Sequence, residues 1–193
     1  MCIRDSIRVG PSHFLIAALE AAAALAMIIG WPDRLVRERA AFRYLSIGLI
    51  AFVTVVNMVS LGQLVDFLLN RGDVDGADLV RSAVAIWGTN VIAFGCWYWE
   101  IDGGGPYFRR DDAIPTRDFL FAQMTDDGRP YAPRRWYPQF VDYLYLSFTN
   151  STAFSPTDTL PLRPRAKFLM ALQSIVALVT IAVVAARAVN ILR

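Results

Sequence analysis

The chain is poor in the side chains that carry most protein chemistry. Of its 193 residues one is histidine, His13, and two are cysteine, Cys2 and Cys96. Two cysteines, one at the terminus and one inside an apolar block, exclude a disulfide framework. A single histidine leaves too few ligands for a His/Cys metal site. No G-x-S-x-G is present, and no second histidine stands ready to activate a nucleophile. The expectation is therefore a protein that is not an enzyme and carries no cofactor. Excess charge of one sign is missing too: 19 basic residues face 17 acidic ones. That balance gives no basic surface for nucleic acid. Every basic residue except Lys167 is an arginine. There is no repeat of fixed period, no low-complexity tail and no clear signal-peptide cleavage pattern.

What the chain does have is apolar sequence. Hydrophobic residues make up 55% of it, above the 45–50% typical of soluble domains. They are gathered into blocks of about 20 residues, the length that crosses a hydrocarbon core of about 30 Å. The blocks are Phe14 to Trp31, Tyr44 to Leu69, Leu79 to Trp99 and Phe168 to Leu192. The predicted fold class is all-α integral membrane, with about four transmembrane helices and a re-entrant, pore-helix-like segment. The re-entrant candidate is Phe140 to Phe148, which runs into the polar string Thr149-Asn150-Ser151-Thr152 and is too short to cross.

This divides the chain into four parts. Residues 1–13 are set aside as a suspect or disordered N-terminus, because Met1-Cys2-Ile3-Arg4-Asp5-Ser6 reads as an adapter-derived scar. Residues 14–99 form a three-helix transmembrane region. Residues 100–138 form a polar loop region, in which Phe119-Leu120-Phe121 is expected to dip into the membrane interface. Residues 139–193 hold the pore-loop-like segment and the final transmembrane helix. Trp97-Tyr98-Trp99 reads as an interface belt, and Gly48 and Gly62 as points of close helix approach.

Polar groups inside the apolar blocks are the first site candidates: Glu20, Asn57, Asp66, Asn90 and Arg187. An intramembrane ionisable residue is a functional hypothesis by default. Asn57 and Asn90 are read as interhelical hydrogen-bonding groups. Asp66 lies near enough to a block end to reach water. Arg187 either snorkels to the interface or pairs with Glu20 or Asp66. Glu20 with Asp66 is also the one footing for an intramembrane enzyme.

Residues 147–161 read Ser-Phe-Thr-Asn-Ser-Thr-Ala-Phe-Ser-Pro-Thr-Asp-Thr-Leu-Pro. They follow a short aromatic helix and precede a long apolar one. That order, with Ser147-Phe148, Thr152 and the closing Asp158-x-x-Pro161, resembles the pore region of two-helix potassium channels over residues 137–192. The filter-like positions are Thr152, Ala153, Phe154, Ser155, Pro156, Thr157 and Asp158. Ser155 and Thr157 stand where that family has glycine, Phe154 where it has valine and Pro156 where it has tyrosine. A potassium filter is a ring of backbone carbonyls, which glycine permits and proline disrupts. The resemblance thus implies a pore-loop architecture with a degenerate filter. The partners it implies are a lipid bilayer, monovalent cations and further copies of the chain in a homo-oligomer, a tetramer if it forms a pore. Asp158 has two readings, a cation contact or an Asx turn before Leu160-Pro161. Trp97 to Gly104, Phe119 to Met124 and the Ser-Pro-Thr-Asp segment also resemble a group of bacterial multi-pass membrane proteins. That likeness implies the inner membrane as location. The alternative function is a non-conducting membrane protein with a structural or partner-anchoring role.

Orientation is pulled two ways. Arg34, Arg37, Arg39 and Arg43 precede the second block, six arginines lie in 100–138, and Arg163, Arg165 and Lys167 precede the last block. The positive-inside rule places these segments in the cytoplasm. A potassium-channel pore loop enters from outside. The arginine bias is the preferred guide.

Overall fold

In a computed structural model, the described residues are 40–70, 76–106, 108–110, 117–133, 136–152 and 159–191. They form four α-helices: α1 (Ala40–Asn70), α2 (Gly76–Ile101), α3 (Phe140–Ser151) and α4 (Pro164–Ile191). Three of them, α1, α2 and α4, are long and apolar enough to cross a membrane. The expected first spanning block, Phe14 to Trp31, lies outside the described residues, and so does the set-aside N-terminus.

The three long helices bury themselves unequally. Within its spanning window α2 is 56% buried, α4 33% and α1 17%. So α2 is the central helix, and α1 and α4 turn broad apolar faces outward, with Leu49, Phe52, Val55 and Val59 exposed on one and Ile175, Leu178 and Ile181 on the other. In water such faces would be an aggregation hazard; against acyl chains they cost nothing.

Gly48 and Gly62 make no close approach, since a Cβ at either would meet nothing within 4 Å. The close approach is at Gly95 of α2. A Cβ there would stand 3.3 Å from Leu144 Cδ1 and 3.4 Å from Leu144 Cα. Without a side chain at Gly95, α3 settles directly on the α2 backbone.

Helix α2 ends where three glycines follow Asp102. Gly103, Gly104 and Gly105 take φ of 60°, 83° and 108°, a region costly for residues with a Cβ. They swing the chain off the helix axis and back over its end. The described residues of the 100–138 region hold more regular structure than their composition predicts. Short 3₁₀ turns occur at Asp102–Gly104, Phe108–Arg110, Ala122–Met124 and Arg129–Tyr131. A two-stranded antiparallel ladder pairs β1 (Phe119–Leu120) with β2 (Leu160–Pro161), with Phe119 opposite Pro161. Phe119 and Phe121 do not face an interface. Both are buried in the main core beside Phe94, Tyr98, Trp99, Tyr143, Leu146 and Met170.

Helix α3 starts beside the end of α2. The rings of Trp99 and Phe140 are 5.9 Å apart, and those of Trp87 and Phe148 are 5.6 Å apart. The two helices are therefore antiparallel, and α3 runs about 18 Å into the bundle at 1.5 Å per residue. The chain next reappears at β2 and at Arg165, whose Nη2 donates to the Ile101 carbonyl at 3.1 Å. Entry and return lie at one end, the end that also carries the α1 start, where Arg43 lies against Gly105.

Candidate functional site

Two polar clusters sit inside the bundle. The first surrounds α3. A helix leaves its last four carbonyls without intrahelical donors, and a helix that stops among apolar neighbours must find donors for them. The polar string supplies them. Thr152 Oγ1 donates to the Thr149 carbonyl at 2.9 Å, and one turn inside the helix Thr149 Oγ1 back-bonds to the Tyr145 carbonyl at 2.9 Å. Ser174 Oγ of α4 donates to the Asn150 carbonyl at 3.4 Å. At the other end Gln139 and Asp142 form a reciprocal capping box.

Gln173 of α4, fully buried, is the hub of this cluster. Its Nε2 lies 2.9 Å from the Ser147 carbonyl, 2.6 Å from Ser147 Oγ and 2.7 Å from Ser151 Oγ. Its Oε1 accepts from Tyr98 Oη and from Asn150 Nδ2, the latter at 2.9 Å. Ser147 Oγ donates on to the Val91 carbonyl at 2.6 Å. Asn90 Nδ2 of α2 donates to the Gln173 carbonyl at 3.3 Å, while the buried Asn90 Oδ1 has no hydrogen-bond partner among the described residues. One neutral network thus ties α2, α3 and α4 together.

The second cluster is charged and closes the end of α2. Asp102 and Asp118 are both fully buried. Asp102 Oδ1 accepts from the backbone N–H of Asp118 at 2.7 Å and of Phe119 at 3.2 Å. Asp102 Oδ2 accepts from the Tyr143 hydroxyl and stands 4.0 Å from Arg117 Nη1. Asp118 receives Arg165 through both Nε and Nη2 and the N–H of Gly103 at 3.2 Å. Arg109 lies between the rings of Trp99 and Tyr143, at 4.0 and 4.8 Å from their centroids. It donates to the Trp99 carbonyl at 2.6 Å and to the Tyr143 oxygen at 3.1 Å. Burial pulls the Arg109 guanidinium below its ordinary range, against the opposing pull of Tyr143 and Asp102. Burial likewise pushes the Tyr143 phenol up, so it remains a donor to Asp102.

The expected site residues are placed as follows. Thr152 ends α3 as its cap residue, its N–H 3.2 Å from the Phe148 carbonyl. Ala153, Phe154, Ser155, Pro156, Thr157 and Asp158 lie outside the described residues, as do Glu20 and the side chain of Arg187. Asn57 is buried in α1 and Asn90 joins α2 to α4. Asp66 is exposed near the C-terminal end of α1. Asn90 and Thr152 thus belong to the network around α3.

The aromatic trio is not an interface belt. Tyr98 and Trp99 are core residues, and Trp97 Nε1 donates to Thr54 Oγ1 of α1 at 3.0 Å. Gln173, Tyr143 and the Asp102–Asp118 pair are the polar residues that sequence reasoning missed. A signal existed for Gln173, an amide inside a spanning block. None existed for the carboxylates, which look like loop charges. Among the described residues no group of His, Cys, Asp and Glu is arranged to hold a metal ion. Comparison with protein-family models, curated proteins and solved structures finds no match to the chain.

Proposed function

We propose that the chain is an integral membrane protein that assembles around α3 as a channel-like homo-oligomer, with residues 152–158 facing a path for small cations. The observation that carries this reading is the hairpin. Helix α3 enters the bundle beside Trp99 and the chain returns beside Ile101, between two helices long enough to span. The sequence order of short helix, polar segment and long helix supports it, as do Val141 and Tyr145, both exposed on α3. One such loop per chain cannot enclose a pore, so several copies must surround an axis. The bacterial inner membrane is the proposed location. The arginine-rich end, where α3 enters, is the proposed cytoplasmic side.

Cation flux into liposomes carrying the purified protein tests the reading. Wild-type flux that Asp158→Asn reduces or alters supports it. Absence of flux from a well-folded oligomer for every small monovalent cation contradicts it.

A second reading has its own observation. The polar face of α3 is spent inside the subunit on Gln173 and Val91. That suits a non-conducting membrane scaffold whose 100–138 region anchors a partner. Tyr131, exposed in that region, is the place to test it: a partner lost on Tyr131→Ser, with flux absent, favours the scaffold.

A further inference from the structure

Three cations stand within five residues at the head of α4: Arg163, Arg165 and Lys167. Their environments differ. Arg165 turns inward to Asp118 and the Ile101 carbonyl. Lys167 is exposed and Arg163 half-buried, and no ion pair among the described residues engages either. The first turn of α4 holds no acidic residue, and the helix dipole there disfavours added positive charge. At the opposite end of the bundle the exposed Arg81 is paired with Asp78 at 3.0 Å. Among the described residues, Arg163 and Lys167 are thus cations without an ion pair at the α3-entry end.

Apolar side chains interleave with them. Leu160 is 55% exposed, Leu162 49% and Phe168 68%. Leu160, Leu162, Lys167 and Phe168 are exposed and Arg163 is half-buried among them, while Ala166 is buried and Arg165 is held by Asp118. Solvent does not suit the leucines, and the hydrocarbon core does not suit the cations. The boundary between acyl chains and anionic headgroups suits both.

We propose that residues 160–168 form a seat for an anionic phospholipid. Arg163 and Lys167 hold its headgroup phosphate, and Leu160, Leu162 and Phe168 lie among the acyl chains. This rests on reading α4 as a membrane-crossing helix. Native mass spectrometry of lipids retained from equimolar phosphatidylglycerol and phosphatidylcholine bilayers tests it. Wild type should retain the anionic lipid in excess, by about five-fold for each cation and about twenty-five-fold for the pair. The Arg163→Gln/Lys167→Gln variant should retain both lipids equally, and the wild-type excess should shrink as salt is raised. Equal retention by wild-type protein that is still inserted in the bilayer would overturn the seat and leave the membrane reading intact. Displacement of the lipid by millimolar inorganic phosphate would overturn it in favour of a free-anion site. Failure of the protein to insert would overturn both.

Discussion

The two polar clusters solve the same problem with different chemistry. Around Gln173, deep between α2, α3 and α4, every participant is neutral: amides, hydroxyls and backbone carbonyls. At the end of α2 the participants are charged: Asp102 and Asp118 against Arg109, Arg117 and Arg165. The division follows the cost of desolvating a charge, which is several kcal/mol per ion even after relaxation. At the bundle end, half-exposed Arg165 keeps one face in water while its other face meets Asp118. Deeper in the bundle no side chain has that choice, so the chain uses groups whose burial costs less when hydrogen-bonded. The contrast teaches that buried carboxylates are used at the bundle end, where Arg165 pairs with one of them and still meets water, and amides deeper in.

The sharpest way to break this contrast is Asp102→Ala. It strips an acceptor from two backbone N–H groups and from Tyr143, and takes from Arg117 the carboxylate 4.0 Å away. Removing one partner of a buried charged cluster costs about 3–5 kcal/mol. Thermal unfolding in detergent should show that loss, with the 100–121 segment released to protease first. Asp102→Asn, which keeps the shape and one acceptor, should cost less. If Asp102→Ala unfolds like wild type, the charged cluster is not what holds the end of α2.

Gln173→Leu should cost less than Asp102→Ala, because the groups it orphans are neutral. Ser147, Ser151, Asn150 and Tyr98 would each lose a contact. Side-chain hydrogen bonds between helices in a bilayer average about 0.6 kcal/mol, with about 1.7 as an upper value. The expected loss is about 1–2 kcal/mol, read by the same unfolding assay. Detachment of α3 should appear as faster hydrogen exchange at residues 140–151. A Gln173→Leu loss larger than that of Asp102→Ala would reverse the ranking and the dielectric explanation behind it.

The long helices were legible because their signal is local. Tyr44 to Leu69, Leu79 to Trp99 and Phe168 to Leu192 each fall almost wholly within a helix of Ala40–Asn70, Gly76–Ile101 or Pro164–Ile191. Only Leu192 lies outside the described residues. The short helix at Phe140 was visible too, though it continues through the polar string to Ser151. Threonine and serine look like helix breakers in sequence, yet here the Thr149 and Thr152 hydroxyls back-bond to carbonyls of the preceding turn, while Ser147 and Ser151 bond to α2 and α4. The order within 100–138 was not legible. It depends on partners far apart in the chain, Asp102 with Asp118 and Tyr143, and Asp118 with Arg165. Residue-by-residue composition carries no trace of such pairing. The aromatic trio misled for a related reason: an aromatic cluster at a helix end marks an interface only where nothing folds over it, and Phe119 and Tyr143 do.

The central claim is that α3 is one of several copies arranged around an axis. The native mass of the protein in mild detergent tests it most directly. A tetramer is the predicted result, with Val141 and Tyr145 protected from labelling in it. A clean monomer at every protein concentration would contradict the claim, because a single α3 hairpin has no other wall with which to close a pore.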